Sequence, residues 1–83
     1  MMKFRTRLAE LRQQFDLSRM DIVRQADMTY PTVMSWENDS LSSIDSNKLF
    51  LLMEIFKLNK IDDILFFVDE NNTESTQTGS NND

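Results

Sequence analysis

Residues 17–38 read LSRMDIVRQADMTYPTVMSWEN, and the punctuation within this stretch decides the fold. Ser18 stands three residues before Asp21, an abbreviated capping box in which hydroxyl and carboxylate each satisfy a main-chain N–H left open at a helix start. Leu17 and Ile22 flank it as a hydrophobic staple. The helix so begun turns Ile22, Val23 and Ala26 inward and is over by Asp27. Aspartate is one of the few residues besides glycine that accept the left-handed conformation used in tight helix–helix turns. Met28 is then an apolar plug inside the turn. Thr29 caps the next helix, Tyr30 and Pro31 occupy its first turn, and it runs to about Asn38. Two short helices joined by a tight turn form a helix-turn-helix by geometry alone.

Outward from this unit the apolar spacing stays helical. Phe4, Leu8, Leu11 and Phe15 predict a first helix from about Lys3 to Phe15. A polar stretch, Asp39 to Ser43, separates the central pair from a fourth helix capped by Asp45 or Ser46. That helix carries Leu49, Leu52, Met53 and Phe56 and ends near Lys57. Asn59 is placed to cap a last helix over residues 60–68, with Asp62 and Asp63 near its positive dipole end. One glycine and one proline leave an all-β fold without turn chemistry. The expected architecture is therefore all-α, a compact five-helix bundle over residues 1–68. From Asp69 to Asp83 no large apolar side chain occurs, so residues 69–83 are expected to be a disordered acidic and polar tail.

Composition narrows the chemistry. The chain has 83 residues, no cysteine and no histidine, which removes thiolate and Ser-His-Asp nucleophiles, zinc fingers and disulfide frameworks. Its lone glycine, Gly79, rules out a glycine-rich phosphate loop. No enzyme, metal or cofactor is expected. Asp62-Asp63 and Asp69-Glu70 are adjacent carboxylates without an oxygen-rich loop around them, and are read as dipole-compensating or solvated. Absent cysteine suits a reducing cytoplasm. No apolar run approaches the roughly 18 residues of a membrane span. Net charge is −5, which on its face disfavours nucleic acid. The charge is unevenly spread, however: Asp69, Glu70, Glu74 and Asp83 lie in the tail. Residues 1–36 hold six basic side chains (Lys3, Arg5, Arg7, Arg12, Arg19, Arg24) against four acidic ones.

Leu11-Arg12, Leu17-Ser18, Ile22-Val23, Met28-Thr29 and above all Val33-x-x-Trp36-Glu37-Asn38 resemble the helix-turn-helix of the phage-repressor/Cro type, the XRE family. The resemblance covers about residues 4–66. It implies a lambda-repressor-like DNA-binding domain, a dimer on a palindromic operator, and transcriptional regulation by repression. Two departures stand out. Asp27 occupies the family's turn glycine, and Asp39 the glycine that commonly follows Trp-Glu-Asn; both are expected to be left-handed. The loop before helix four is about two residues longer than usual and lacks basic residues.

In such a domain helix three enters the major groove by its N-terminal half. The resemblance then puts Thr29, Tyr30, Pro31, Met34 and Ser35 toward the bases. Ser18, Arg19, Thr32, Asn38 and Ser40, with Ser42 nearby, fall at the phosphate edge, and Lys3, Arg5 and Arg7 either reach phosphate or solvate helix one. The base-facing set holds no Arg, Lys, Asn or Gln, the residues of bidentate base contacts. Expected instead are apolar contacts to thymine methyls, A·T-rich half-sites and modest discrimination. Trp36 is expected to anchor the core. The resemblance makes Arg12 and Glu37 a partly buried ion pair joining helix one to the end of helix three. Ile61, Ile64, Leu65, Phe66, Phe67 and Val68 make the last helix apolar on nearly all sides, and a homodimer interface is expected there. The competing reading is a protein-interaction adapter, or an antitoxin with a protein partner, that keeps the fold with DNA binding weakened or lost.

Overall fold

A computed structural model describes residues 2–69. The elements in chain order are β1 (Met2–Thr6), α1 (Leu8–Gln14), α2 (Arg19–Gln25), α3 (Tyr30–Asn38), α4 (Ser46–Ile55), a single 3-10 turn (Ile61–Asp63) and β2 (Leu65–Asp69). The protein is thus mixed α/β and not an all-α five-helix bundle. Both errors lie at the ends. The first helix starts at Leu8, not Lys3, and the expected last helix is a 3-10 turn followed by a strand.

The physical reason is shared by the two ends. Phe4 fits a helical stripe with Leu8 and Leu11, but residues 2–6 also alternate, and the strand period wins because a partner exists. Leu65-Phe66-Phe67-Val68 is a short, unbroken apolar run, which periodicity alone cannot assign to helix or strand; its aromatic and β-branched members favour the strand. The two segments pair antiparallel, with Phe4 opposite Phe67 and Thr6 opposite Leu65. Scarcity of glycine and proline is no obstacle, since this sheet needs no hairpin turn. The entire helical body connects its two strands. On its other side β1 meets Leu41, whose N–H and carbonyl exchange hydrogen bonds of 2.8 and 2.7 Å with Phe4. The Asp39–Ser43 segment is thereby pinned to the sheet.

The central pair forms as the caps require. Ser18 and Asp21 make a complete capping box, and the Thr29 hydroxyl accepts from the Thr32 N–H. Asp45 rather than Ser46 caps α4, accepting from the N–H groups of Asn47 and Lys48. Helix ends show a common device. Asp16, Asp27 and Lys57 are all left-handed, at φ 56°, 54° and 57°. The N–H of the residue after each reaches back to the helix: Leu17 to Arg12, Met28 to Val23 and Leu58 to Met53, at 2.9, 3.1 and 2.8 Å. This is the Schellman closure, with an apolar side chain following the left-handed residue. Asp39 is different. It is extended, at φ −110° and ψ 158°, so the left-handed expectation there is corrected: the chain must run straight out of α3 to bring Leu41 to β1.

Leu8, Leu11, Ile22, Ala26, Val33, Trp36, Leu49, Leu52, Phe56 and Ile64 form the buried core. Trp36 is in it, as expected. Phe15 closes one end, its ring edge-on to Phe56 at 5.1 Å between centroids. Thr6, at the inner end of β1, donates its hydroxyl to the Trp36 carbonyl and accepts from the Leu8 N–H, locking the sheet to α3 and to the start of α1. The expected tail, residues 69–83, lies outside the described residues apart from Asp69, which ends β2.

Left-handed geometry costs an ordinary residue roughly 1–2 kcal/mol, and aspartate and asparagine less. Lys57 has no such local compensation in its side chain. Lys57→Gly should therefore raise stability by about 1 kcal/mol in urea titrations, and Asp27→Gly by less. A Lys57→Gly variant that melts lower than the parent would show that glycine's unfolded-state entropy outweighs the relief.

Candidate nucleic-acid interface

The site is organised by a carboxylate placed inside the domain. Glu37, in the last turn of α3, is 6% exposed, and both its oxygens are bound by arginine. Arg12 on α1 donates through Nε to Oε2 at 2.8 Å, and Arg19 at the start of α2 donates through Nε to Oε1 at 2.9 Å. Arg12 also donates through Nη1 to the Leu17 carbonyl at 3.1 Å, so the α1–α2 turn is fixed by the same guanidinium. A buried carboxylate is tolerable only if its lone pairs are met by well-placed donors. Here two planar donors on two different helices supply them, and the three helices are tied at one point. The expected Arg12–Glu37 pair is present. Arg19, expected at the phosphate edge, is a second arginine on the same carboxylate.

Arg19 leads from this buried group toward the surface. Its guanidinium is held above its ordinary range, first by the hydrogen bond to Glu37 and then by the Tyr30 side chain beside it. Arg19 is thus bound to the buried carboxylate in the last turn of α3 and lies beside Tyr30 at its start. Tyr30, 43% exposed, and Pro31 form the projecting tip of α3, with Thr29 beside them; Met34 and Ser35 are half-buried further along.

Several of the polar groups at this face are already engaged. Thr29 donates its hydroxyl to the Thr32 Oγ1 at 2.8 Å. Ser35 donates to the Asp39 carboxylate at 3.1 Å, so its remaining capacity toward a ligand is as an acceptor. Near the turn, Arg24 pairs with Asp21 at 2.7 Å, and Lys48 from α4 donates to both the Asp27 carbonyl and carboxylate. The other expected phosphate-edge residues sit around this rim: Ser18 and Asn38 are exposed and Ser40 is half-buried. Ser18 is occupied by the capping box, and Ser40 flanks the pinned Leu41. The i, i+4 spacing of Ser35 and Asp39 was the legible signal for the missed contact.

The basic residues of the N-terminal strand do not join this face as a set. Arg7 lies over the Phe66 ring at 4.7 Å and pairs with Glu10 across one helical turn. Arg5 stands opposite Phe66 in the sheet. The residues expected to form a helical dimer surface are also redistributed. Ile64 is fully buried and belongs to the core, Leu65, Phe66 and Val68 are half-buried in or beside the sheet, and only Ile61 and Phe67 are exposed. Among the described residues there is no cluster of carboxylates able to hold a metal, and no helix is long and apolar enough to cross a membrane. No protein-family model, curated protein or solved structure matches this chain.

Glu37→Ala would strand Arg12, whose side chain is only 16% exposed, and should cost about 3–5 kcal/mol in chemical denaturation. Arg19→Ala should cost much less, since Glu37 keeps Arg12 and Arg19 is more exposed; equal losses would show that the network is not anchored on Arg12. A second expectation concerns acid. The Asp21 carboxyl is held below its ordinary range, first by the Ser18 main-chain N–H and then by the Ser18 hydroxyl. Its contribution is therefore present above the usual carboxylate pKa and fades as pH falls through the lower folded value. Asp21→Asn should reduce stability at pH 7 and converge with the parent toward pH 2, read from thermal melts at each pH.

Proposed function

We propose that the protein is a sequence-specific DNA-binding transcriptional regulator that acts as a homodimer on a palindromic operator and represses by occupying it. The observation that carries this reading is the buried Glu37 carboxylate held by Arg12 and Arg19. It gives a capped helix pair a fixed mutual angle and leaves the N-terminal tip of α3 projecting, the end that such helices insert in the major groove. The phage-repressor/Cro resemblance in the same residues supports it. The protein would work in the cytoplasm, and its partners are double-stranded DNA and a second copy.

Groups left open at the tip define what would be read. Tyr30 and Pro31 offer apolar surface to a thymine methyl, and Ser35 offers lone pairs to an exocyclic amino group of adenine or cytosine. Phosphate neutralisation is limited, because Arg19, Arg24 and Lys48 each hold an internal carboxylate. Arg19 still has guanidinium N–H groups to spare for a phosphate. A shallow salt dependence follows, about two to four phosphate contacts per subunit.

The Ser35–Asp39 contact favours the second reading, a protein-interaction adapter or antitoxin that retains the fold. A carboxylate beside the recognition helix repels phosphate and suits a basic protein partner. Fluorescence anisotropy with A·T-rich and G·C-rich operator libraries, repeated across a salt series, separates the two. The expected result is preference for A·T-rich half-sites, with binding lowered at least about tenfold by Tyr30→Ala or Pro31→Ala. Micromolar binding that ignores sequence, unchanged by those substitutions, would sink DNA recognition and leave the adapter.

A further inference from the structure

The turn between α2 and α3 is held from outside the helix pair. Asp27, its left-handed residue, is exposed, and the N–H that follows it closes α2 by reaching back to Val23. The Asp27 carbonyl has no such use. Four residues on, where a helix would supply a main-chain donor, stands Pro31, which has no N–H. Among the described residues the donor that meets this carbonyl is Lys48 of α4, whose ammonium also reaches the Asp27 carboxylate at 3.4 Å.

The two bonds are unequal. The carboxylate is 94% exposed, so water and salt screen its longer contact with the ammonium. The carbonyl bond is close, charge-assisted and made to a main-chain atom, which cannot shift without carrying the turn with it. Lys48 is suited to hold rather than to follow. Its side chain is only 27% exposed, its own N–H lies in the Asp45 cap at 3.4 Å, and its neighbour Leu49 is in the core. Glu37 acts in the last turn of α3, whereas Lys48 acts two residues before the Thr29 cap, where the chain turns into that helix.

We propose that Lys48 is a positioning residue for the recognition tip. By holding the Asp27 carbonyl it fixes the angle at which α3 leaves the turn, and so where Thr29 and Tyr30 stand. It touches no base or phosphate in this role, because its ammonium is spent inside the domain. The turn aspartate contributes its main chain, and its carboxylate is secondary. The effect on DNA rests on the reading proposed above. The hold on the turn does not, and is measured without DNA.

Lys48→Met keeps the apolar length of the side chain and removes the donor. Amide hydrogen exchange on the full chain should then show Met28, whose N–H bonds the Val23 carbonyl, losing protection about tenfold. Phe56, bonded to Leu52, should keep its protection. Equal losses at the two amides would reduce Lys48 to a general stabiliser and overturn the proposal. Asp27→Asn retains the carbonyl and should match the parent at both amides. A loss at Met28 as large as that in Lys48→Met would place the hold in the carboxylate and overturn the main-chain assignment. Anisotropy with the A·T-rich operator library, well below the melting temperature of each variant, gives the second readout. Lys48→Met should weaken binding about tenfold with the same dependence on salt as the parent, since no phosphate contact is lost. A salt slope lower by about one marks a direct phosphate contact and would sink the positioning role. Parent and variant alike indifferent to operator sequence, with Met28 alone deprotected, would retire the DNA reading and leave the hold on the turn standing.

Discussion

The domain depends on one buried carboxylate. Glu37 is a charged group where a globular core usually holds none, and burying it alone would cost more than a domain of this size can spare. Arg12 and Arg19 remove that cost only if α1, α2 and the end of α3 stand in one arrangement, because each oxygen has its own guanidinium. An apolar contact would tolerate sliding of one helix over another. A planar donor meeting a planar acceptor does not. The orientation of α3 is therefore set by a directional interaction at its buried C-terminal end, and the opposite end is left free of core duties.

A second constraint acts on the chain ends. With only 68 described residues, from Met2 to Asp69, the helices bury a modest core, and terminal segments would ordinarily fray. Here they are paired with each other, and Thr6 ties the pair to the Trp36 carbonyl next to Glu37. Leu41 occupies the second edge of β1 and so holds the exit of α3 as well. Sheet and ion network thus grip α3 from adjacent residues, 36 and 37.

The helix-turn-helix was legible because its signals are local. A cap hydroxyl, a carboxylate three residues on and a left-handed aspartate each act within one turn of chain, and Ser18, Asp21, Asp27 and Thr29 behave as their types dictate. Trp36 and the Arg12–Glu37 pair were legible through family likeness rather than physics. The strands were not legible, since β1 and β2 exist only because residues 59 to 67 positions apart meet. Phe4 satisfies a helical stripe and an alternating strand equally, and four apolar residues in a row satisfy anything. The turn code was visible but under-read. FDL, ADM and FKL, at residues 15–17, 26–28 and 56–58, follow one pattern, a tolerant or strained left-handed residue before an apolar anchor. Only the middle one stands between two clearly capped helices, and α4 ends at Ile55 rather than near Lys57. At the site, Arg19 was given a single task because a surface cation beside a candidate groove suggests phosphate. Its exposure is intermediate, and it serves the buried carboxylate first.

Charge is where the two functional readings meet. The acidic total of the chain is not decisive, because the relevant quantity is the potential at the tip of α3. Around that tip the cations are present but already answered. Arg24 faces Asp21, Lys48 faces Asp27, and Arg19 faces Glu37. Of these, the Arg19 pair differs in kind. The first two carboxylates are exposed enough to be screened, whereas Glu37 is inside the domain and shares its charge between two guanidinium groups, leaving that triad with a net positive charge. Part of this positive surplus lies on Arg19, which Glu37 holds beside the start of α3. A surface of this kind gains little from long-range attraction, and what it binds is decided by where its few contacts fall.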